Sequence, residues 1–115
     1  MLVPHIRRRP PIRLLATLGF VLAIAGASAA IAAEATVTID NFTFNPAMLT
    51  VAAGTSVTFL NRDDIPHVVV ESGGAFRSAA LDTDDTFTMV FANPGMVEYF
   101  CALHPHMTGT IVVTP

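Results

Sequence analysis

Cys101-Ala102-Leu103-His104-Pro105-His106-Met107 places a thiol, two imidazoles and a thioether within seven residues. Cys101 is the single cysteine of the 115-residue chain. A thiolate, imidazole nitrogens and a distant thioether are the soft donors that select copper, and a His₂Cys set with a weak axial Met is the arrangement used for one-electron transfer. The run can supply Cys101, His104 and Met107, so a second imidazole has to come from elsewhere. His67, in Ile65-Pro66-His67, is the candidate. Side chains at 104 and 106 are hard to aim at one ion, which makes His106 a surface residue or a secondary metal contact. Taken singly, a cysteine is more often a small buried hydrophobe and a methionine core filling; it is their spacing that points to a metal. Met48, Met89 and Met96 read as core or surface packing.

These donors need a rigid frame. Thr36-Val37-Thr38-Ile39 alternates apolar with polar residues, as a half-buried strand does, and Phe42 and Phe44 continue the alternation until Asn45-Pro46 stops the ladder. Met48 to Val51 is a short strand ended by the turn signal Ala53-Gly54. Ser56 to Asn61 alternates again, followed by the polar loop Arg62-Asp63-Asp64-Ile65-Pro66. After His67, Val68-Val69-Val70 is strongly strand-forming. Ser72-Gly73-Gly74 turns the chain, and Phe76 to Asp85 reads as irregular, with at most a short turn. Thr86 to Phe91 presents Phe87, Met89 and Phe91 on one face, Asn93-Pro94-Gly95 turns, and Val97, Tyr99 and Cys101 share a face of the next strand. Thr110 to Val113 closes the domain. Seven or eight short strands with regular turns and no sustained helical period predict an antiparallel β-sandwich or barrel with Greek-key connections. Cys101 then points inward at a strand end, with Pro105 stiffening the loop that follows.

The N-terminal third reads differently. Arg7, Arg8, Arg9 and Arg13 precede an uncharged apolar run from Leu14 to Ala25 and then small residues, the order of a secretory signal peptide. Ala27-Ser28-Ala29 and Ala30-Ile31-Ala32 are both cleavage candidates, so residues 1–32 form the leader, with a boundary uncertain by about three residues. A retained anchor is the rival reading, but the apolar core is short for a bilayer span. A twin-arginine signal at Arg7-Arg8 is interrupted by Pro10-Pro11. Residues 33–115 then make one small domain, long enough for one core. The chain carries no lysine, and removal of the leader leaves Arg62 and Arg77 against nine acids, a formal charge of −7. Nucleic-acid binding rests on neutralising phosphates with Lys and Arg, so this composition speaks against it. An acidic surface suits a basic protein partner through steering that salt weakens, or serves solubility. One cysteine in an exported chain closes no internal disulfide, so the thiol calls for another explanation.

At His67, Cys101, His104 and Met107 the chain resembles the cupredoxins, the small blue copper proteins, and within them the amicyanin-like branch. Cys101-x-x-His104-x-x-Met107 is similar to the short amicyanin-type ligand loop, and Asn61-Arg62-Asp63-Asp64-Ile65-Pro66-His67 to the segment ending in that family's first histidine ligand. The resemblance spans Phe42 to Val113. It implies a cupredoxin-like Greek-key β-sandwich holding one type 1 copper ion, with His67, Cys101 and His104 as strong equatorial ligands and Met107 as the weak axial one. It also implies a one-electron carrier rather than an enzyme: a periplasmic or secreted monomer, without stable membrane association once the leader is removed. Its donor and acceptor would be redox proteins such as a cytochrome or a dehydrogenase. In that family electrons pass through the exposed edge of the loop histidine within an apolar patch, for which Leu103, Pro105 and Met96 are the candidates. Two positions depart from the pattern. Val68 stands where an asparagine usually ties two loops together near the cysteine, and His106 stands where an aromatic is usual. The alternatives are a copper-handling protein without electron traffic, and an atypical red copper site that uses His106.

Overall fold

The computed structural model describes residues 33–115, with the isolated positions 2–4, 11 and 19. The leader read over 1–32, apart from those positions, lies outside the described residues. Among the described residues there are eight strands and no helix. They are β1 (Glu34–Asp40), β2 (Thr43–Asn45), β3 (Met48–Ala52), β4 (Thr55–Asn61), β5 (Val69–Glu71), β6 (Thr86–Phe91), β7 (Gly95–Cys101) and β8 (Thr108–Thr114). One sheet has the order β2-β1-β4-β6 and the other β3-β8-β7-β5. The chain therefore crosses between the layers repeatedly, and of the seven or eight strands in a sandwich or barrel expected from the alternation, a sandwich of eight forms.

The sheets are mixed, not antiparallel throughout. β1 runs parallel to β4, with Ile39 opposite Asn61, and β3 runs parallel to β8, with Val51 opposite Val113. Alternation marks which residues face the core but carries no strand direction. Parallel neighbours need a long crossover, and here the excursions into the opposite layer provide it. A second correction concerns Phe42. It does not continue the strand face of Phe44: Asn41 and Phe42 form the turn that reverses β1 into β2, and Phe44 is buried while Phe42 is exposed.

The core lies between the layers. Val37, Ile39, Phe44, Val57 and Phe59 from the first sheet meet Val51, Tyr99, Cys101, Ile111 and Val113 from the second. Tyr99 packs edge-on against Phe44 and Phe59, with centroids 4.8 and 5.2 Å away. Its ring crosses the neighbouring strand at Gly109, where any β-carbon would overlap it.

One end of the sandwich collects the functional loops. β1, β4 and β7 finish there, at Asp40, Asn61 and Cys101, while β5, β6 and β8 start there. The paired registers Leu60 with Thr86 and Val69 with Cys101 fix this alignment. Met96 sits near the opposite end of β7, five residues and roughly 16 Å of strand from Cys101. It is therefore not part of an apolar patch around His104, although it is exposed.

Candidate metal centre

At this end the loop after β4 is wound tightly by one buried side chain. Asn61 Nδ2 donates to the carbonyls of Ile65 (2.9 Å) and Leu81 (2.8 Å), and its Oδ1 accepts the Asp63 amide at 2.9 Å. His67 follows, fully buried, and exchanges backbone hydrogen bonds with Leu81: its N–H donates to the Leu81 carbonyl at 3.1 Å and its carbonyl accepts the Leu81 N–H at 2.8 Å. The 76–85 segment, read from the sequence as irregular, thus acts as a strap. It bridges His67 at Leu81 and Val70 at Arg77, and Ser78 Oγ accepts the Val69 amide at 2.9 Å.

The His67 ring is fixed at both nitrogens. Nε2 lies 2.7 Å from Asp63 Oδ2 and Nδ1 lies 3.6 Å from Cys101 Sγ. A carboxylate accepts, so Nε2–H is the donor and Nδ1 keeps a lone pair directed at the sulfur. This is the tautomer a metal-binding histidine needs, oriented by its outer partner. Burial of Asp63 raises its pKa, but hydrogen bonds from the Phe42 amide, the His67 ring and the Asn41 amide outweigh that, and the carboxyl ends below its ordinary value. Those amides lie 3.0 and 2.6 Å from the two carboxylate oxygens.

Cys101 is completely buried at the end of β7. The Val68 N–H points at its sulfur from 3.4 Å, and the Val68 carbonyl accepts the Ala102 amide at 3.0 Å. Backbone groups at position 68 therefore tie the two loops and reach the sulfur, a role for which no asparagine side chain is required. The loop closes on itself: the Cys101 N–H donates to the Met107 carbonyl at 3.0 Å, the His104 N–H to the Cys101 carbonyl at 3.2 Å, and the Met107 N–H to the His104 carbonyl at 2.9 Å. Met107 is buried in the same core cluster as Cys101. His104 Nδ1 stands 3.8 Å from Sγ, and one ligand atom each from His67, Cys101 and His104 lies within 4.8 Å of the others.

These separations match an ion. Two donors in a trigonal plane, at about 2.0 Å for nitrogen and about 2.3 Å for sulfur, are about 3.7 Å apart. The N–S distances are 3.6 and 3.8 Å. The four ligand candidates of the sequence thus converge on one end of the sandwich. His106 does not join the triad. It is exposed, with its ring centroid 6.5 Å from that of His104. Asn61, Asp63, Leu81 and Phe42 were not singled out by sequence reasoning. The available signal was an aspartate four residues before the upstream histidine, inside what reads as an ordinary polar loop.

A family model described as a cupredoxin-like domain matches residues 13–113. Amicyanin of Paracoccus versutus is 31% identical over 93 residues, covering 76% of this chain and 70% of that protein. Among solved structures, a purple cupredoxin from Nitrosopumilus maritimus superposes with a TM-score of 0.65 at 31% identity, over 70% of this chain and 99% of that one. An oxidised amicyanin variant superposes with a TM-score of 0.67 at 28% identity, over 70% and 82%.

Proposed function

Since this chain belongs to the cupredoxin family, on its amicyanin-like side, we propose that it is an exported carrier of single electrons between redox proteins. One copper ion would be held by His67, Cys101 and His104, with Met107 as the weak axial donor. The observation that carries this reading is the buried Sγ with two imidazole Nδ1 atoms 3.6 and 3.8 Å away. Bound copper supplies the one-electron step, cycling between Cu(II) and Cu(I). The protein's part is to hold the donors where both states accept them. Asp63 sets the His67 ring, the closed 101–107 loop sets three donors, and the Val68 N–H offers the sulfur a hydrogen bond, one of the features that tune potential in such sites.

Exit for the electron is supported by exposure. His104 is half-buried, and Leu103 and Pro105 beside it are exposed. The acidic mature chain favours a donor and an acceptor with basic faces. The leader over 1–32 would deliver the domain to the periplasm or outside the cell. The carrier reading assigns the chain no catalysis of its own.

The test is the visible absorption and EPR spectrum of the full chain after addition of Cu(II). An intense thiolate-to-copper band with narrow copper hyperfine splitting, lost in Cys101→Ser, is the expected result. A weak, ordinary Cu(II) spectrum would remove the carrier reading and leave copper handling in its place.

A further inference from the structure

The turn between β1 and β2 has two consecutive non-glycine residues in the left-handed region, Asn41 at φ 50° and Phe42 at φ 56°. Asparagine tolerates this conformation, whereas a bulky residue there is an outlier that something else must hold. Here the holder is Asp63. Its Oδ1 accepts the Asn41 amide at 2.6 Å, and its Oδ2 takes the Phe42 amide at 3.0 Å and the His67 Nε2–H at 2.7 Å. One carboxylate therefore locks the turn and the buried imidazole together.

What the turn presents is a ring. Phe42 is 42% exposed and lies outside the buried core cluster. It stands edge-on to His67 at 5.7 Å and to His104 at 5.1 Å, while the two imidazoles are 5.2 Å apart. The three centroids make a nearly equilateral triangle. Asp63 fixes only the His67 ring; the rings packed against His104 are Phe42, His67 and the exposed His106.

We infer that Phe42 is a positioning residue that clamps both imidazoles, and the half-exposed His104 ring above all, in the ligating orientation before metal arrives. This rests on the copper reading above, but the clamp itself is a property of the metal-free chain. Burying the ring on the core would serve stability; spending a strained turn to place it across two imidazoles serves their geometry.

The experiment compares the full-length wild type with Phe42→Ala, Phe42→Leu and Phe42→Tyr. In the metal-free chain, long-range ¹H–¹⁵N imidazole spectra should show the His104 signals broadened or multiplied in Phe42→Ala, with β1 and β4 amides unchanged. With copper, chelator competition should show about a tenfold or greater loss of affinity, accompanied by a second Cu(II) species in the EPR spectrum. Phe42→Tyr, which keeps the ring, should restore both readouts. Phe42→Leu keeps apolar bulk without the ring, so it answers for Phe42→Ala if that variant does not fold, and it should show the same His104 broadening. Wild-type His104 signals and copper affinity in whichever of Phe42→Ala and Phe42→Leu folds would overturn the clamp. A wild type that gives no thiolate-copper band would defeat the copper reading instead, and the metal-free comparison would still decide the clamp.

Discussion

Asp63 accepts three hydrogen bonds with two oxygens, and its neutral isostere cannot reproduce them all. Asp63→Asn leaves His67 Nε2 facing an amide in place of a charge. Copper affinity should fall by about 10- to 100-fold, the range for the outer partner of a ligating histidine, as read by chelator competition. The carboxyl also makes stability depend on pH. Its folded pKa lies below the ordinary 3.8, so ionisation favours the native state. That stabilisation is fully present above the unfolded value and is lost as the pH falls through the folded one. Metal-free wild type should therefore melt higher than Asp63→Asn at neutral pH, with the gap narrowing below about pH 4. A constant gap across an acid series of thermal melts would contradict this assignment. At this scale the ligand candidates were legible because soft donors at short spacing carry their own chemistry. Asp63 and Phe42 were not, because a carboxylate in a polar loop and a phenylalanine near a strand are ordinary until the fold brings them to the histidines.

The strap from Phe76 to Asp85 shows what alternation leaves out. It pairs with its neighbours only at single residues, so no period marks it, yet Leu81 is buried and both of its backbone groups hydrogen-bond His67. Leu81→Ala should destabilise the domain by about 2–5 kcal/mol, measured by urea unfolding, and copper should dissociate faster than from wild type. Unchanged dissociation would mean that the strap packs without steadying the site. β7 and β8 offer a cleaner case. Gly109 lies under the Tyr99 ring, so Gly109→Ala should cost about 1–3 kcal/mol by overpacking, and a melt equal to wild type would show that the ring can move aside. Strand faces such as Val97-Tyr99-Cys101 were legible from period two alone. Pairing direction was not: β1 beside β4 and β3 beside β8 run parallel because the chain between them visits the other sheet.

The whole molecule adds charge to this frame. Asp40, Asp64, Asp82, Asp84 and Asp85 are all exposed, and they lie on the strand ends and loops of the copper end. Arg62 there is already paired with Asp84. Electron exchange with a small cationic redox protein should be fast at low salt and fall steeply as ionic strength approaches about 0.15 M, where the Debye length is about 8 Å. A salt-independent rate would put the acids to use in solubility alone. Composition made the sign of this surface legible, but only the fold shows that these five acids share the end of the sandwich that carries His104.

His67 and Cys101 are 34 positions apart in the chain, and the stretch between them includes all of β6 in the opposite sheet. A bound ion is thus a cross-link that closes a long loop spanning both layers. Binding to the native state alone raises stability by RT ln(1 + [L]/Kd), about 2.7 kcal/mol when the free metal is at 100 times Kd. The two oxidation states need not be held equally well. With copper released on unfolding, a thermodynamic cycle equates the difference between the unfolding free energies of the oxidised and reduced proteins, at equal free-ion concentrations, with the difference between the copper potentials in the folded chain and in solution. Two denaturation curves, one for each oxidation state, would weigh in kilocalories how far the sandwich favours Cu(I) over Cu(II).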